Sequence, residues 1–164
     1  MGTVGSVVGS ILGNGIGTTY SFKDLTGVIT NPQFGVTILL SGGNVGFGEL
    51  TITMTTERTT HDVAADGTVM PSYLAGDNGT VAIGVQQTSG LHHQLLDLYN
   101  LCVLAANNDD VSAWASTVIS FRTILDGSIH VLTGVSFGKI PDKPYHASGQ
   151  KITWNLMAAN VQNL

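Results

Sequence analysis

The chain has 164 residues, of which 43% are hydrophobic and only 10% charged, and its formal net charge is −5. Such hydrophobicity excludes a disordered chain, and one domain of this length buries about two-thirds of its surface, enough for a core without disulfide or metal staples. The charged fraction falls well short of the about 25% of an average domain, so the surface is rich in small polar residues or covered by partners.

Residues 1–18 read as an arm. Gly2, Gly5, Gly9, Gly13, Gly15 and Gly17 make regular structure costly to order, while Val4, Val7, Ile11 and Leu12 still want cover. No Lys or Arg precedes the apolar run, so it does not read as a signal peptide, and no stretch of about 20 apolar residues suggests a membrane span or anchor. A single domain is expected over 19–164.

From residue 19 the apolar period becomes two. A first strand is expected from Tyr20 to Thr30, a turn at Asn31-Pro32, and a second strand over Phe34–Leu40. SGGNVGFG (41–48) reads as a glycine-rich loop. Glu49–Glu57 alternates most clearly: Leu50, Ile52 and Met54 on one face, and Glu49, Thr51, Thr53, Thr55 and Glu57 on a wet, acidic one. A short strand follows over 60–65, and residues 66–79 (DGTVMPSYLAGDNG) are so dense in turn formers that they read as a loop. Thr80–Thr88 is the next strand. Ser89 then stands as an N-cap before a helix over about 91–106, marked by Leu91, Leu95, Leu98, Leu101 and Cys102. Strands are expected at about 113–123, 128–139 and 146–157, with Asp126-Gly127 as the hairpin signal between the first two. The whole predicts a mainly β protein, an antiparallel β-sandwich or partly open barrel with one packed α-helix.

Charge is uneven along this order. Residues 59–121 carry six aspartates and no Lys or Arg, whereas 122–164 carry Arg122, Lys139, Lys143 and Lys151 against Asp126 and Asp142. If these segments lie on opposite sides, each copy suits head-to-tail association. The scattered basic residues leave no footprint for tight nucleic-acid binding.

No set of residues reads as an active site or cofactor site. GVSFG (134–138) matches the nucleophile-elbow pattern, with Asp142 and His146 nearby, but its flanks continue as strand where the motif needs a strained strand-to-helix turn. GNGIG (13–17) lacks the strand, helix and Lys-Ser/Thr pair of a phosphate loop. His92-His93 cannot share one metal on a helix and read as surface residues, Asp109-Asp110 lacks the rest of a calcium loop, and Cys102 reads as a small core residue. The expected function is therefore structural. A sugar-binding sandwich would need aromatic platforms, yet Trp114 and Trp154 sit inside strand patterns; a small hydrolase built on Ser136 is the enzymatic alternative.

Several segments together resemble a known family. YSFKDLTGVIT (20–30), ELTITMTTERTT (49–60), SYLAGDNGTVAIGVQQTS (72–89) leading into LLDLYN (95–100), and GVSFGKIPDKPYHASGQKITWNL (134–156) are similar in order and spacing to tail tube proteins of contractile-tailed bacteriophages. The resemblance implies a virion protein, assembled in the host cytoplasm, whose hexameric rings stack into the inner tail tube. It implies a sheath outside, tape measure protein inside, baseplate and tail-terminator proteins at the ends, and DNA in transit. The tube of a phage-tail-like bacteriocin or secretion device is the neighbouring alternative. On this reading the face of Glu49, Thr51, Thr53, Thr55 and Glu57 is the candidate lumen surface, repelling phosphates. Val45, Phe47, Val69, Met70, Tyr73 and Leu74, on two long loops, are the candidate contacts between subunits.

Overall fold

Two kinds of local signal build the described part of the chain: turn residues that stop strands, and a leucine stripe that starts a long helix. The computed structural model describes residues 19–41 and 46–164; the arm at 1–18 and Val45 lie outside them. A 3₁₀ turn at Phe22–Asp24 leads into β1 (Leu25–Asn31). The strands β2 (Val36–Ser41), β3 (Phe47–Met54), β4 (Thr59–Val63), β5 (Val69–Tyr73) and β6 (Gly79–Gln86) precede helix α1 (Gly90–Asn107). A second 3₁₀ turn, Val111–Ala113, then β7 (Thr117–Thr123), β8 (Ile129–Phe137) and β9 (Lys151–Asn163) complete the order.

Among the described residues seven strands form one antiparallel sheet in the order β2-β1-β7-β8-β9-β6-β3, and β4 pairs only with β5. The sheet curls into a half-barrel: Phe22, just before β1, stacks on Phe47 of β3 with ring centroids 5.0 Å apart, although four strands separate β1 from β3. The helix fills the concave side. Ser89 caps it by accepting the Leu91 N–H at 3.1 Å, and Leu91, Leu95, Leu98 and Cys102 are buried along one stripe. Asp109, at φ 66°, ends it in the left-handed region.

Polar groups key the helix to the sheet. Asn31 accepts the Gln33 N–H at 3.0 Å, which makes the β1–β2 turn, and donates to the Thr117 hydroxyl at 3.1 Å and toward Cys102 Sγ at 3.9 Å. Trp154, fully buried in β9, packs edge-on against Phe137 at 5.6 Å and donates its indole N–H to His92 Nδ1 at 3.1 Å. That bond places the imidazole proton on Nε2, and burial, with Lys143 and His93 nearby, pushes the His92 pKa down.

The partly open barrel and its single helix follow the sequence expectation; several details do not. The expected loop 66–79 contains β5, so 59–73 is a hairpin. The last strand covers 151–163 and not 146–157, because Pro141 and Pro144 open a 13-residue irregular strap (138–150) before it. Residues 113–116 turn and do not extend, which takes Trp114 out of any strand. His92 is buried and not a surface residue, while His93 is exposed. Met54 is exposed and not inward, since it ends an edge strand.

Candidate functional site

Two exposed surfaces carry the residues that the sequence singled out: the convex face of the sheet and the β4–β5 hairpin. On β3, Glu49, Thr51 and Thr53 point outward, as their alternation requires, with Leu50 and Ile52 half-buried on the other side. Thr55 and Glu57 lie past the strand end, where the Thr55 N–H bonds the Asn78 carbonyl at 3.1 Å. The outward face continues across the register through Ala82 and Asn155 beside Thr51, and Thr80, Met157 and Ser136 beside Thr53. Hydroxyls and amides dominate it.

Glu49 is not a bare carboxylate. It pairs with Lys151, reaching over β6 between them at Gly84. A Cβ at Gly84 would sit 2.4 Å from Lys151 Cε, so the close crossing requires glycine there. Sequence reasoning missed this pair because 102 residues separate its members. Arg122 also lies on this face, and Lys139 sits beside Lys151, Thr153 and Asn155 at its margin. Glu57 has no ion-pair partner among the described residues.

The hairpin is exposed at all ten strand positions. Its register sorts the residues: Thr59 and Tyr73, His61 and Pro71, and Val63 and Val69 share one face, and Thr60, Asp62, Met70 and Ser72 the other. Val63 is 62% exposed, Met70 59% and Tyr73 73%. The turn is stiff. Asp66 accepts the Thr68 N–H at 3.0 Å, which holds its carboxyl below the usual range, and Gly67 takes φ 89°. The base is also held. Arg58 pairs with Asp77 and donates to the Tyr73 hydroxyl at 3.3 Å, and the Thr56 hydroxyl donates to Asn78 Oδ1 at 2.6 Å. An apolar surface therefore stands on a preformed ribbon that no other described residue covers.

Of the other expected contact residues, Leu74 is exposed at the hairpin base, where its N–H bonds the Arg58 carbonyl. Phe47 is a correction: only 5% exposed, it belongs to β3 and the core and not to an open loop. Ser136 lies inside β8 opposite Met157, so no strand-to-helix turn presents it. Cys102 is buried, and burial raises its pKa. No cluster of three or more metal-binding side chains occurs among the described residues, and no helix there is long and apolar enough to cross a membrane.

The fold is that of chains in solved contractile injection systems. A chain of the PVC sheath–tube complex of an extracellular contractile injection system, in its extended state, aligns with TM-score 0.58 at 10% identity, covering 94% of this chain and 96% of that one. A chain of the sheath/tube terminator of the same system gives 0.59 at 9% identity over 91% and 99%. A chain of the anti-feeding prophage tube-terminating cap gives 0.54 at 10% identity over 94% and 98%. Against curated protein sequences the chain finds no significant match. The family description of the bacteriophage PhiTE tail tube protein matches residues 17–164, which takes in every element of the half-barrel. The chain belongs to the bacteriophage PhiTE tail tube protein family.

Proposed function

We propose that this tail tube protein forms hexameric rings that stack into the inner tube of a contractile tail, through which DNA and the tape measure protein pass. The observation that carries the reading is the β4–β5 hairpin, an ordered ribbon whose apolar face is left exposed by the described residues. Burial of that face against the adjoining ring supplies what the monomer lacks, at about 25 cal/mol per Å² of apolar area. Ring closure has its own support: among the described residues β3 pairs on one side only, and an eight-residue open edge is a liability that pairing with a neighbour removes. The contractile assignment is supported by like-folded chains from a sheath–tube complex and from tube terminators. It brings a sheath outside, terminator and baseplate proteins at the ends, and assembly in the host cytoplasm.

The convex sheet face is the lumen wall on this reading. It differs from the strongly acidic wall suggested by Glu49 and Glu57 alone, because Lys151 neutralises Glu49. A wall of hydroxyls and amides with few net charges lets phosphates slide, since neither attraction nor counterion release holds them. Negative-stain microscopy of the purified protein tests the assembly. Rings or tubes roughly 80–100 Å wide are expected from about two dozen strands spaced about 4.8 Å apart plus an outer layer. Monomers at every concentration would overturn the reading.

A further inference from the structure

Helix α1 carries different surfaces at its two ends. Its start is tied to the irregular strap 138–150. The Gln87 side chain donates to the Pro144 carbonyl at 2.9 Å, the Gln87 N–H donates to the Gln150 carbonyl at 3.1 Å, and Lys143 stands near His92 in the first turn. Its far half lies against β1 and β2, where Asn31 donates toward Cys102 Sγ. From His92 to Ala106 the helix advances about 21 Å, at about 1.5 Å per residue. In strand order β2-β1 stand at one side of the sheet and β9-β6-β3 at the other, and the strap joins the second group at Lys151, opposite Gln86. The strap and the helix end therefore occupy opposite sides of one copy.

The two sites are chemically matched. The helix end forms a shallow groove of about 350 Å³, lined by Val103, Ala106, Asn107, Val111 and Trp114. Val111 is 64% exposed. The groove is preformed: the Trp114 N–H donates to the Val111 carbonyl at 3.1 Å, and the Trp114 ring meets Tyr99 edge-on at 6.3 Å. Asp109 and Asp110 follow the last turn, which has no basic residue. A helix C-terminus carries partial negative charge, so carboxylates placed there favour a cation from outside. The strap offers that cation beside an apolar knob. Tyr145 is 83% exposed, more than any other large apolar side chain described, and Lys143 is exposed two residues before it. Lys139 and Asp142 line the strap's other side with Lys151, Thr153 and Asn155, at the margin of the outward sheet face, and take no part.

We propose that Lys143 and Tyr145 of one copy dock on the helix-end groove of its neighbour in the same ring, with the Tyr145 ring against Val111 and Trp114 and the Lys143 ammonium beside Asp109 and Asp110. The assignment rests on the ring reading and names a contact between neighbours that uses neither a strand edge nor the β4–β5 hairpin. Knob and groove differ, so the contact is head-to-tail, and it closes into a ring where the rotation between copies allows. Two preformed partners also lose little conformational freedom on docking.

The test is crosslinking and charge reversal in the full chain. A115C/A147C places one exposed cysteine beside Trp114 and the other two residues from Tyr145, while Cys102 is buried. Treated with a bis-maleimide, assembled rings should give a covalent ladder that stops at the hexamer, and either cysteine alone should give none. K143E and D109N/D110K should each raise the protein concentration for half-assembly about tenfold at low salt, and together restore it to within about twofold. Asn at 109 keeps the left-handed turn, at φ 66°, and unchanged thermal unfolding checks the fold. Y145S should weaken assembly about equally at low and high salt, because it removes the apolar knob and leaves the charges. Assembled rings that give no ladder, or K143E rings at the wild-type concentration, would overturn the contact. A ladder running past the hexamer, which would place it between rings, would also overturn it, as would variant rings that form normally and fail to recruit sheath, which would give the groove to the sheath. Wild-type monomers at every concentration would overturn the ring reading itself.

Discussion

The Trp154 cluster and the β4–β5 hairpin are built from similar residues with opposite fates. Around Trp154, Phe137 and Tyr99 pack within 6.3 Å and His92 accepts the hydrogen bond of the indole N–H, all inside the half-barrel. On the hairpin, Val63, Val69, Met70 and Tyr73 are exposed. Apolar content alone therefore does not tell a core from an interface. A strand that belongs to the seven-stranded sheet has the helix to bury against; the ribbon β4–β5 leaves the sheet, and among the described residues nothing buries it.

The largest effect that would sharpen this contrast is on the buried side. Trp154→Ala should cost about 3–5 kcal/mol of folding stability, as large-to-small changes at packed aromatic sites do, measured by denaturant unfolding. A loss below about 1 kcal/mol would show that the cluster does not hold the helix to the sheet. Replacing Val63, Met70 and Tyr73 together by Ser should leave monomer unfolding within about 1 kcal/mol of wild type yet abolish tubes, because those side chains are mostly exposed. If that variant unfolds as easily as Trp154→Ala, the hairpin is part of the core and the contrast fails.

A pH titration separates the regions again. His92 has a folded pKa depressed below its ordinary 6.5, first by burial and then by Lys143 and His93. The unfolded chain then binds more protons below about pH 6.5, so stability falls as pH drops through that value, by at most about 1.4 kcal/mol per pH unit from this group. His92→Gln keeps an acceptor for the indole and should flatten the profile between pH 7 and 5 in thermal unfolding. An unchanged slope would assign the acid sensitivity elsewhere.

The smallest effect on folding concerns the convex face. E49K/E57K should change stability by no more than about 1 kcal/mol, since the lost Glu49–Lys151 pair is exposed. It should slow DNA ejection, most at low salt, by turning the wall basic. Glu57→Lys alone, at a site with no ion-pair partner among the described residues, isolates the charge from the broken pair. Ejection at the wild-type rate from both variants would move this face out of the lumen.

Local chemistry was enough for the elements whose partners are their own neighbours. Ser89 and the stripe Leu91, Leu95, Leu98 and Cys102 mark α1 to within a residue, because capping and the helical period act over a few positions. The outward turn of Glu49, Thr51 and Thr53 is equally local. Tertiary structure alone decided what lies far apart in the chain. The hairpin escaped notice because Asp66, Gly67, Pro71 and Gly76 carry turn chemistry, and Pro71 stands inside β5, where a two-stranded ribbon tolerates it and a central strand would not. The burial of His92 depended on Trp154, 62 residues away, and the neutralisation of Glu49 on Lys151, reached only when β6 lies between β3 and β9. Periodicity reports which way a side chain points, but strand order decides what stands opposite it, and strand order is set by the lowest free energy of the whole packed sheet.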